Sequence, residues 1–284
     1  MQNNKVSIGQ ILINAVCALT AFLAMVMLFA SAIVFTAGET VLNTDFAKAK
    51  IEQTGFADSA KSALREQIYT MFSERGIDER TADACFDFEQ ADTVIDSEIS
   101  AYYTSKTAEF DISGFKDKLM QKLREHLVSG EITDAQAKTL DEFADSITDI
   151  YTRYAAQSFA NSYRNISTGY RPYLLIAALA LALVAVLLSV ALLFMRRKKY
   201  LGMFWISVTV LAAAICCAVL SAAVDISGIA GMISVSPQYL GDLISAVVCG
   251  MRDTLYVIAA AFALLGTGGA LLSFKLRSKA LRDI

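Results

Sequence analysis

Four long stretches of this sequence contain no charged residue, and they constrain the fold more than any other feature. They cover residues 6–38, 172–195, 200–224 and 254–274, with lengths of 33, 24, 25 and 21 residues. A transmembrane helix needs about 20 predominantly apolar residues. Buried helices of soluble proteins usually carry a polar stripe, whereas residues 174–195 contain Ser189 as their only polar side chain. We therefore predict four transmembrane helices.

The basic residues predict the orientation of these helices. The densest basic cluster, residues 196–199, stands between the second and third stretches. Short loops rich in Lys and Arg stay on the cytoplasmic side, so with four spans both termini are expected in the cytoplasm. The basic residues of the tail agree: Lys275, Arg277, Lys279 and Arg282. Residues 38–172 hold 15 basic and 24 acidic residues, a net charge of −9, and are expected outside.

The predicted fold is all-α, with four transmembrane helices and a helical extracytoplasmic domain inserted between the first and the second. The boundaries that we predict are a cytoplasmic N-terminus (1–10), helix one (11–37), the extracytoplasmic domain (38–172), helix two (173–195), a basic cytoplasmic loop (196–200), helix three (201–224), an extracytoplasmic loop (225–253), helix four (254–274) and a basic cytoplasmic tail (275–284). Ala30-Ser-Ala32 resembles a signal-peptide cleavage site. However, a signal core has roughly 7–15 apolar residues, and this stretch is about twice as long, so we expect helix one to stay uncleaved.

Inside the predicted extracytoplasmic domain, apolar residues recur at helical spacing and proline is absent from 38–171. The expected helices cover residues 45–54, 58–75 and 78–103, then one from about 111–113 to Gly130, and one that starts with a capping box at Thr133 and Gln136. The last of these can run on toward helix two, with a break or kink near Gly169 and Pro172. In the loop 225–253, Pro237 predicts a helix start. That helix is either an amphipathic surface helix or an extension of helix four.

Cysteine usage bears on the compartment. The predicted extracytoplasmic domain contains only Cys85, whereas a eukaryotic secreted domain of this size often carries paired disulfides. We therefore expect the plasma membrane of a bacterium. Cys249 lies near the outer end of helix four. A Cys85–Cys249 bridge and two separate buried thiols both remain open.

Two groups of acidic residues are candidate binding sites. Asp141, Asp145 and Asp149 share one helix face, which is either a solvated face or a site for a hard cation such as calcium. Residues 78–98 hold eight acidic residues against Arg80 alone. This acidic run either recruits a basic partner by long-range attraction or keeps the surface soluble.

The sequence gives little support for an enzyme. His126 is the only histidine, and no catalytic triad or metal pair can be assembled around it. The predicted membrane helices contain no Asp, Glu, Lys, Arg or His, and charges inside a span usually mark ion or substrate paths. We expect a protein that is not an enzyme, with no catalytic residue, metal, cofactor or nucleic-acid partner.

Two seams of small residues recur in the membrane helices instead. Such seams let helices approach closely, so they serve either a compact four-helix bundle or a docking face for another membrane protein. The seam of helix two is Ala178, Ala182, Ala185 and Ser189, and that of helix four is Ala259, Ala263, Gly266 and Ala270.

The order of elements resembles the topology of the cell-division type of ABC permease, which also has four spans, a large outside domain after the first and a small outside loop after the third. The N-terminal segment and the loop 196–200 are short beside the elements by which such permeases grip an ATPase. We therefore expect a non-enzymatic membrane protein in the lipid bilayer, whose acidic outside domain binds an envelope protein, another membrane protein or a second copy of itself. The alternative is an accessory or permease-like subunit of a transport or export complex.

Overall fold

The computed structural model describes residues 8–101, 103–104, 112–128, 133–155, 159–196, 198–233, 235 and 237–282. This part of the chain is all-helical, with 90% helix and no strand. The helices are α1 Ile8–Glu39, α2 Thr44–Thr54, α3 Phe56–Ser73, α4 Glu79–Cys85, α5 Phe88–Ser100, α6 Ile112–Leu127, α7 Asp134–Ala155, α8 Phe159–Phe194, α9 Lys199–Ser227, α10 Ile229–Met232 and α11 Gln238–Arg282. The all-α prediction is confirmed.

The chain divides into two compact units. Residues 1–43, 169–234 and 244–284 form one, here called the apolar unit, and residues 44–168 and 235–243 form the other, the polar unit. Four helical segments are long and apolar enough to cross a membrane: Ile11–Glu39, Asn165–Phe194, Lys199–Met232 and Gln238–Ala280. This confirms the four predicted spanning helices at the level of length and composition.

The apolar unit exposes large aliphatic and aromatic side chains that water would not favour. Leu179 on α8 is 71% exposed and Leu264 on α11 is 75% exposed. Contiguous apolar surface of this extent marks a protein or membrane contact. These faces are suited to a hydrocarbon environment, as expected for a multi-pass membrane protein.

Small residues and hydroxyl groups hold the helices of the apolar unit together. Thr209 of α9 donates a hydrogen bond of 3.4 Å to the Ala21 carbonyl of α1, and α1 packs chiefly against α9. Ser31 donates a bond of 2.8 Å to the Ala178 carbonyl of α8. At the start of α9, the Tyr200 carbonyl accepts a bond of 2.7 Å from the Ser273 hydroxyl of α11. Because such bonds satisfy polar groups between helices, they suit packing in lipid.

The polar unit is built around an apolar core to which α3, α5, α6 and α7 contribute. Aromatic rings lie at its centre: Phe86 contacts Tyr151 edge-on at 5.7 Å between ring centroids, and Phe72 contacts Phe143 at 5.0 Å. The capping box predicted at the start of α7 is present. Gln136 accepts a bond of 3.1 Å from the Thr133 backbone N–H, and the Gln136 N–H donates to the Thr133 hydroxyl at 3.4 Å.

Two predicted elements differ from the structure, and a third had two alternatives, of which the structure shows one. The region 78–103 was expected to form one helix, but α4 ends at Cys85 and α5 begins at Phe88. The chain turns because Phe86 is buried in the core in an extended conformation, and Asp87 caps the next helix. α8 continues through Pro172 without interruption. In the loop 225–253, the second alternative holds, since α11 is one helix of 45 residues that begins just after Pro237.

Candidate functional site

Most acidic side chains of the run 78–98 are engaged in contacts inside the polar unit. The Asp78 carboxylate accepts a bond of 3.0 Å from the Thr81 N–H and so caps α4. Hydrogen bonds with the Thr81 side chain and then with its backbone lower the pKa of Asp78. Asp87 caps α5 in the same way, at 2.9 Å from the Gln90 N–H. Asp83 accepts a bond of 2.7 Å from the Tyr69 hydroxyl. These carboxylates position helices, so the run is a weaker candidate for partner binding than its composition indicated.

The basic residues of α3 engage the same acidic run. Lys61 lies 2.7 Å from the Asp96 carboxylate, and Arg65 lies 2.9 Å from that of Asp92. Both pairs join α3 to α5. One side of α3 is therefore neutralised by its neighbour.

Another side of α3 lines an open cavity of about 1030 Å³, here called the acidic groove. All of its lining residues belong to the polar unit. A row of polar side chains at intervals of four residues runs along α3: Asp58, Ser62, Glu66, Thr70 and Glu74. The opposite side comes from the end of α7, with Ile150 and Tyr154, and from the start of α11, with Gln238, Tyr239 and Asp242. The groove thus combines segments that are far apart in the sequence.

The charge of the acidic groove has one sign. Its lining includes the carboxylates of Asp58, Glu66, Glu74 and Asp242, and among the residues that the structure describes no Lys, Arg or His lines it. All four carboxylates belong to exposed residues. Because like charges in a cleft reinforce one another, the groove attracts cations over a distance of about one Debye length.

The floor of the acidic groove is apolar and aromatic. Tyr239 of α11 is buried and packs edge-on against Phe56, with 5.0 Å between ring centroids. Tyr154 lies 6.1 Å from Tyr239 by the same measure. Burial raises the pKa of Tyr154, with Arg153 opposing and Glu66 adding to the effect. Met71 and Ile150 complete the apolar part. A surface with an apolar floor and charged walls recognises amphipathic molecules.

The predicted cation site on α7 is occupied by a protein cation in this structure. The Lys116 ammonium of α6 contacts the Asp145 carboxylate and lies 3.1 Å from that of Asp141. Hydrogen bonds to Asp145 and then to Asp141 raise the pKa of Lys116. Asp149 is exposed. In the described ranges, no group of three or more His, Cys, Asp or Glu side chains is arranged to hold a metal ion. The shared face serves to join α6 to α7.

The remaining single residues do not form a site together. Cys85 and Cys249 are both free thiols. Cys85 is buried beneath α6, and burial raises its pKa to about 11, so its thiol is protonated and unreactive at neutral pH. His126 is exposed at the end of α6. The structure thus shows separate thiols and not the Cys85–Cys249 bridge, and it adds no role for His126.

The small-residue seams are used within the apolar unit. Ala178 and Ala185 of α8 are buried, and Ala259 of α11 packs with Ala32 and Cys217. At Gly266, a Cβ atom would lie 2.6 Å from the Leu211 side chain of α9. The seams therefore pack in a compact bundle, which leaves less of them for another protein.

Sequence reasoning missed the acidic groove. Asp58 is only the start of a predicted helix there, and Glu66, Glu74 and Asp242 have no predicted role. The spacing of four residues from Asp58 to Glu74 was a readable signal on one helix, but the contribution of α11 was not. Comparison of the chain with protein-family models, with curated proteins and with solved structures finds no match.

Proposed function

We propose that this protein is an integral plasma-membrane protein of non-enzymatic function, whose polar unit lies outside the cytoplasm and binds a partner in the acidic groove. The apolar unit anchors it in the bilayer through α1, α8, α9 and α11. The partner is a membrane or envelope protein, or a second copy of this chain. The proposed cell is bacterial.

The orientation is supported by charge. The basic residues between α8 and α9 and those of the tail after residue 274 mark the cytoplasmic side by the preference of Lys and Arg for short inside loops. Both termini then lie in the cytoplasm. Residues 38–172, with their net charge of −9 from 15 basic and 24 acidic residues, fall on the outside.

The observation that carries the binding function is the acidic groove itself. In the run 78–98, by contrast, several acidic side chains are engaged as caps or ion pairs, as at Asp78, Asp87 and Asp92. The groove instead leaves four carboxylates open to solvent above an apolar floor. Solvent-exposed carboxylates on one concave surface repel one another and so contribute no stability. A cationic partner bound in the groove would relieve this repulsion.

Site-specific photo-crosslinking in the native membrane tests this function. A photoreactive amino acid would replace Ser62 or Gln67, which line the groove, in the full-length protein. Glu125, exposed on α6 and outside the groove, is the matched control position. We expect a defined covalent adduct from Ser62 and Gln67 that Glu125 does not give.

Two results would contradict the proposal. The absence of any groove-specific adduct would remove the binding function from the groove. Adducts that form instead from a lipid-exposed position such as Leu183 on α8, and that contain a permease or an ATPase, would favour the alternative of a subunit in a transport or export complex.

A further inference from the structure

We infer that the acidic groove binds a cationic amphipathic helix, a segment of another protein with Lys or Arg along one face and apolar residues along the other. This inference rests on the proposed function, because it names the class of partner for the same groove. Three properties of the groove support it: its length, its pattern of charge and its floor.

The length of the acidic groove matches a helical segment. The groove follows α3 from Asp58 to Glu74, and 16 residues of helix rise about 24 Å. A partner helix of similar length has between four and five turns. Helix-in-groove recognition places an amphipathic helix alongside such a row, with its apolar face against the groove floor. A cavity of about 1030 Å³ is at or beyond the upper end of pockets for single small molecules, roughly 300–1,000 Å³.

The carboxylates along α3 recur about every two helical turns, a spacing that basic residues on a partner helix can match. Asp58, Glu66 and Glu74 follow one another at intervals of eight residues, which is about 12 Å along the helix axis. Basic residues seven apart on a partner helix share a face and are separated by about 10–11 Å. Asp242 adds a carboxylate from α11 on the other side, so cations on the partner meet negative charge from both walls.

The floor of the acidic groove supplies the apolar half of the recognition. Met71 and Ile150 are only partly buried in the free protein, so a docked apolar face would remove more of their surface from water. Methionine adapts to side chains of different shape. Tyr154 and Tyr239 are buried beneath these residues and support the floor from the core side. An anionic lipid surface has the wrong charge for this site.

Designed peptides test the inference on the full-length protein in nanodiscs of neutral lipid. The probe is a peptide of Leu and Lys with the periodicity of an amphipathic helix. One control is the same composition in scrambled order, and another has Glu in place of Lys. The groove variant is Glu66→Lys with Glu74→Lys, two exposed positions. The matched variant is Asp117→Lys with Glu142→Lys, exposed on α6 and α7 outside the groove.

We expect the amphipathic Lys peptide to bind the wild type and to weaken as salt is raised, because the Debye length falls from about 30 Å at 0.01 M to about 8 Å at 0.15 M. Glu66→Lys with Glu74→Lys should raise its Kd by about tenfold or more and give measurable binding of the Glu peptide. The matched variant should change the Kd by less than about twofold.

The outcomes separate this inference from the proposed function. Groove-specific crosslinks in the native membrane, combined with no preference for the amphipathic Lys peptide over the scrambled one, would overturn the inference and leave the binding function standing. Equal weakening by the groove and matched variants would also overturn it. Loss of groove-specific crosslinks would remove the function and the inference together.

Discussion

Glu98 is a carboxyl group on the core-facing side of α5, between Ile95 and Ile99 in the sequence and only 5% exposed. Burial raises the pKa of Glu98 above its ordinary value of 4.5. A raised pKa in the folded state means that the protonated group favours folding below the ordinary pKa. This contribution is lost as the pH rises through the folded-state value. At neutral pH, ionisation of Glu98 therefore costs more free energy in the folded state than in the unfolded state.

We predict that Glu98→Gln stabilises α5 at neutral pH by about 1 kcal/mol, a factor of about 5 in its opening equilibrium. The difference from the wild type should shrink as the pH falls below 4.5, the ordinary value of a glutamate, because the wild-type carboxyl is then protonated in both states. Hydrogen exchange of residues 88–100 in the full-length protein measures this. Glu89→Gln, an exposed change on the same helix, is the control. Slower exchange in the wild type than in Glu98→Gln at pH 7 would contradict the prediction.

The cap at Asp87 gives a second prediction. Asp87→Ala removes the acceptor of the Gln90 N–H, at 2.9 Å, and the loss of such a cap costs about 1 kcal/mol. Exchange at the start of α5 should speed up accordingly. Thr93→Ala on the exposed side of α5 is the matched change and should have little effect, because Ala is the better helix former. Similar effects of both changes would show that Asp87 does not act as a cap.

The boundary between α4 and α5 shows what sequence reasoning could find at the level of an element. Asp87 with Gln90 three residues later is a readable start signal, but the spacing of Ala82, Phe86 and Val94 also fits one uninterrupted helix. The turn itself depends on Phe86, which is 1% exposed and packs against Tyr151 from α7. A contact with a residue 65 positions away has no local signature. Helix existence was therefore predictable, whereas this break was set by tertiary packing.

At the hairpin of α8 and α9, we predict that Gly202 is required for close approach. A Cβ atom there would lie 2.8 Å from the Leu193 Cα and 2.9 Å from the Leu192 carbonyl oxygen. Because backbone atoms cannot rotate away, Gly202→Ala should destabilise the hairpin by about 1–3 kcal/mol. Unfolding of the full-length protein in mixed micelles with increasing dodecyl sulfate measures this.

Gly268 on α11 is the matched control for Gly202, since no atom beyond its neighbours and the backbone of its own helical turns lies within 4 Å of the position of its Cβ. Gly268→Ala should leave the unfolding midpoint unchanged or raise it slightly, because Ala favours helix over Gly by up to about 1 kcal/mol. If both alanine variants have the same unfolding midpoint as the wild type, the helices at Gly202 are not in close contact.

For the molecule as a whole, composition predicted the separation into spanning helices and an acidic unit better than it predicted the acidic groove. Charge-free runs predict spanning helices because a helix that crosses the bilayer needs a continuous stretch of apolar residues. This signal is contained in each stretch of sequence. The acidic groove brings together Asp58, Tyr154 and Asp242 from three separate helices. Its acidic character was expected of the polar unit in general, but the run 78–98 that suggested it is mostly engaged in caps and ion pairs. Only the packed fold distinguishes engaged carboxylates from open ones.

The proposed orientation yields the last prediction, which concerns both units. In a variant with the five native cysteines replaced, Ser62→Cys in the groove should react with a membrane-impermeant maleimide added to intact cells. Ser278→Cys in the basic tail should react only after the membrane is permeabilised. The physical reason is that Lys and Arg in short segments stay on the cytoplasmic side, and Lys275, Arg277 and Lys279 surround Ser278.

Both serines are exposed, so a difference in labelling reports the membrane barrier rather than burial. The cysteine-free parent gives the background signal, and permeabilised cells should label both positions equally. Labelling of Ser278→Cys before Ser62→Cys in intact cells would invert the topology. The groove would then face the cytoplasm, and the partner helix would have to be sought among cytoplasmic proteins, with the groove and its charge pattern unchanged.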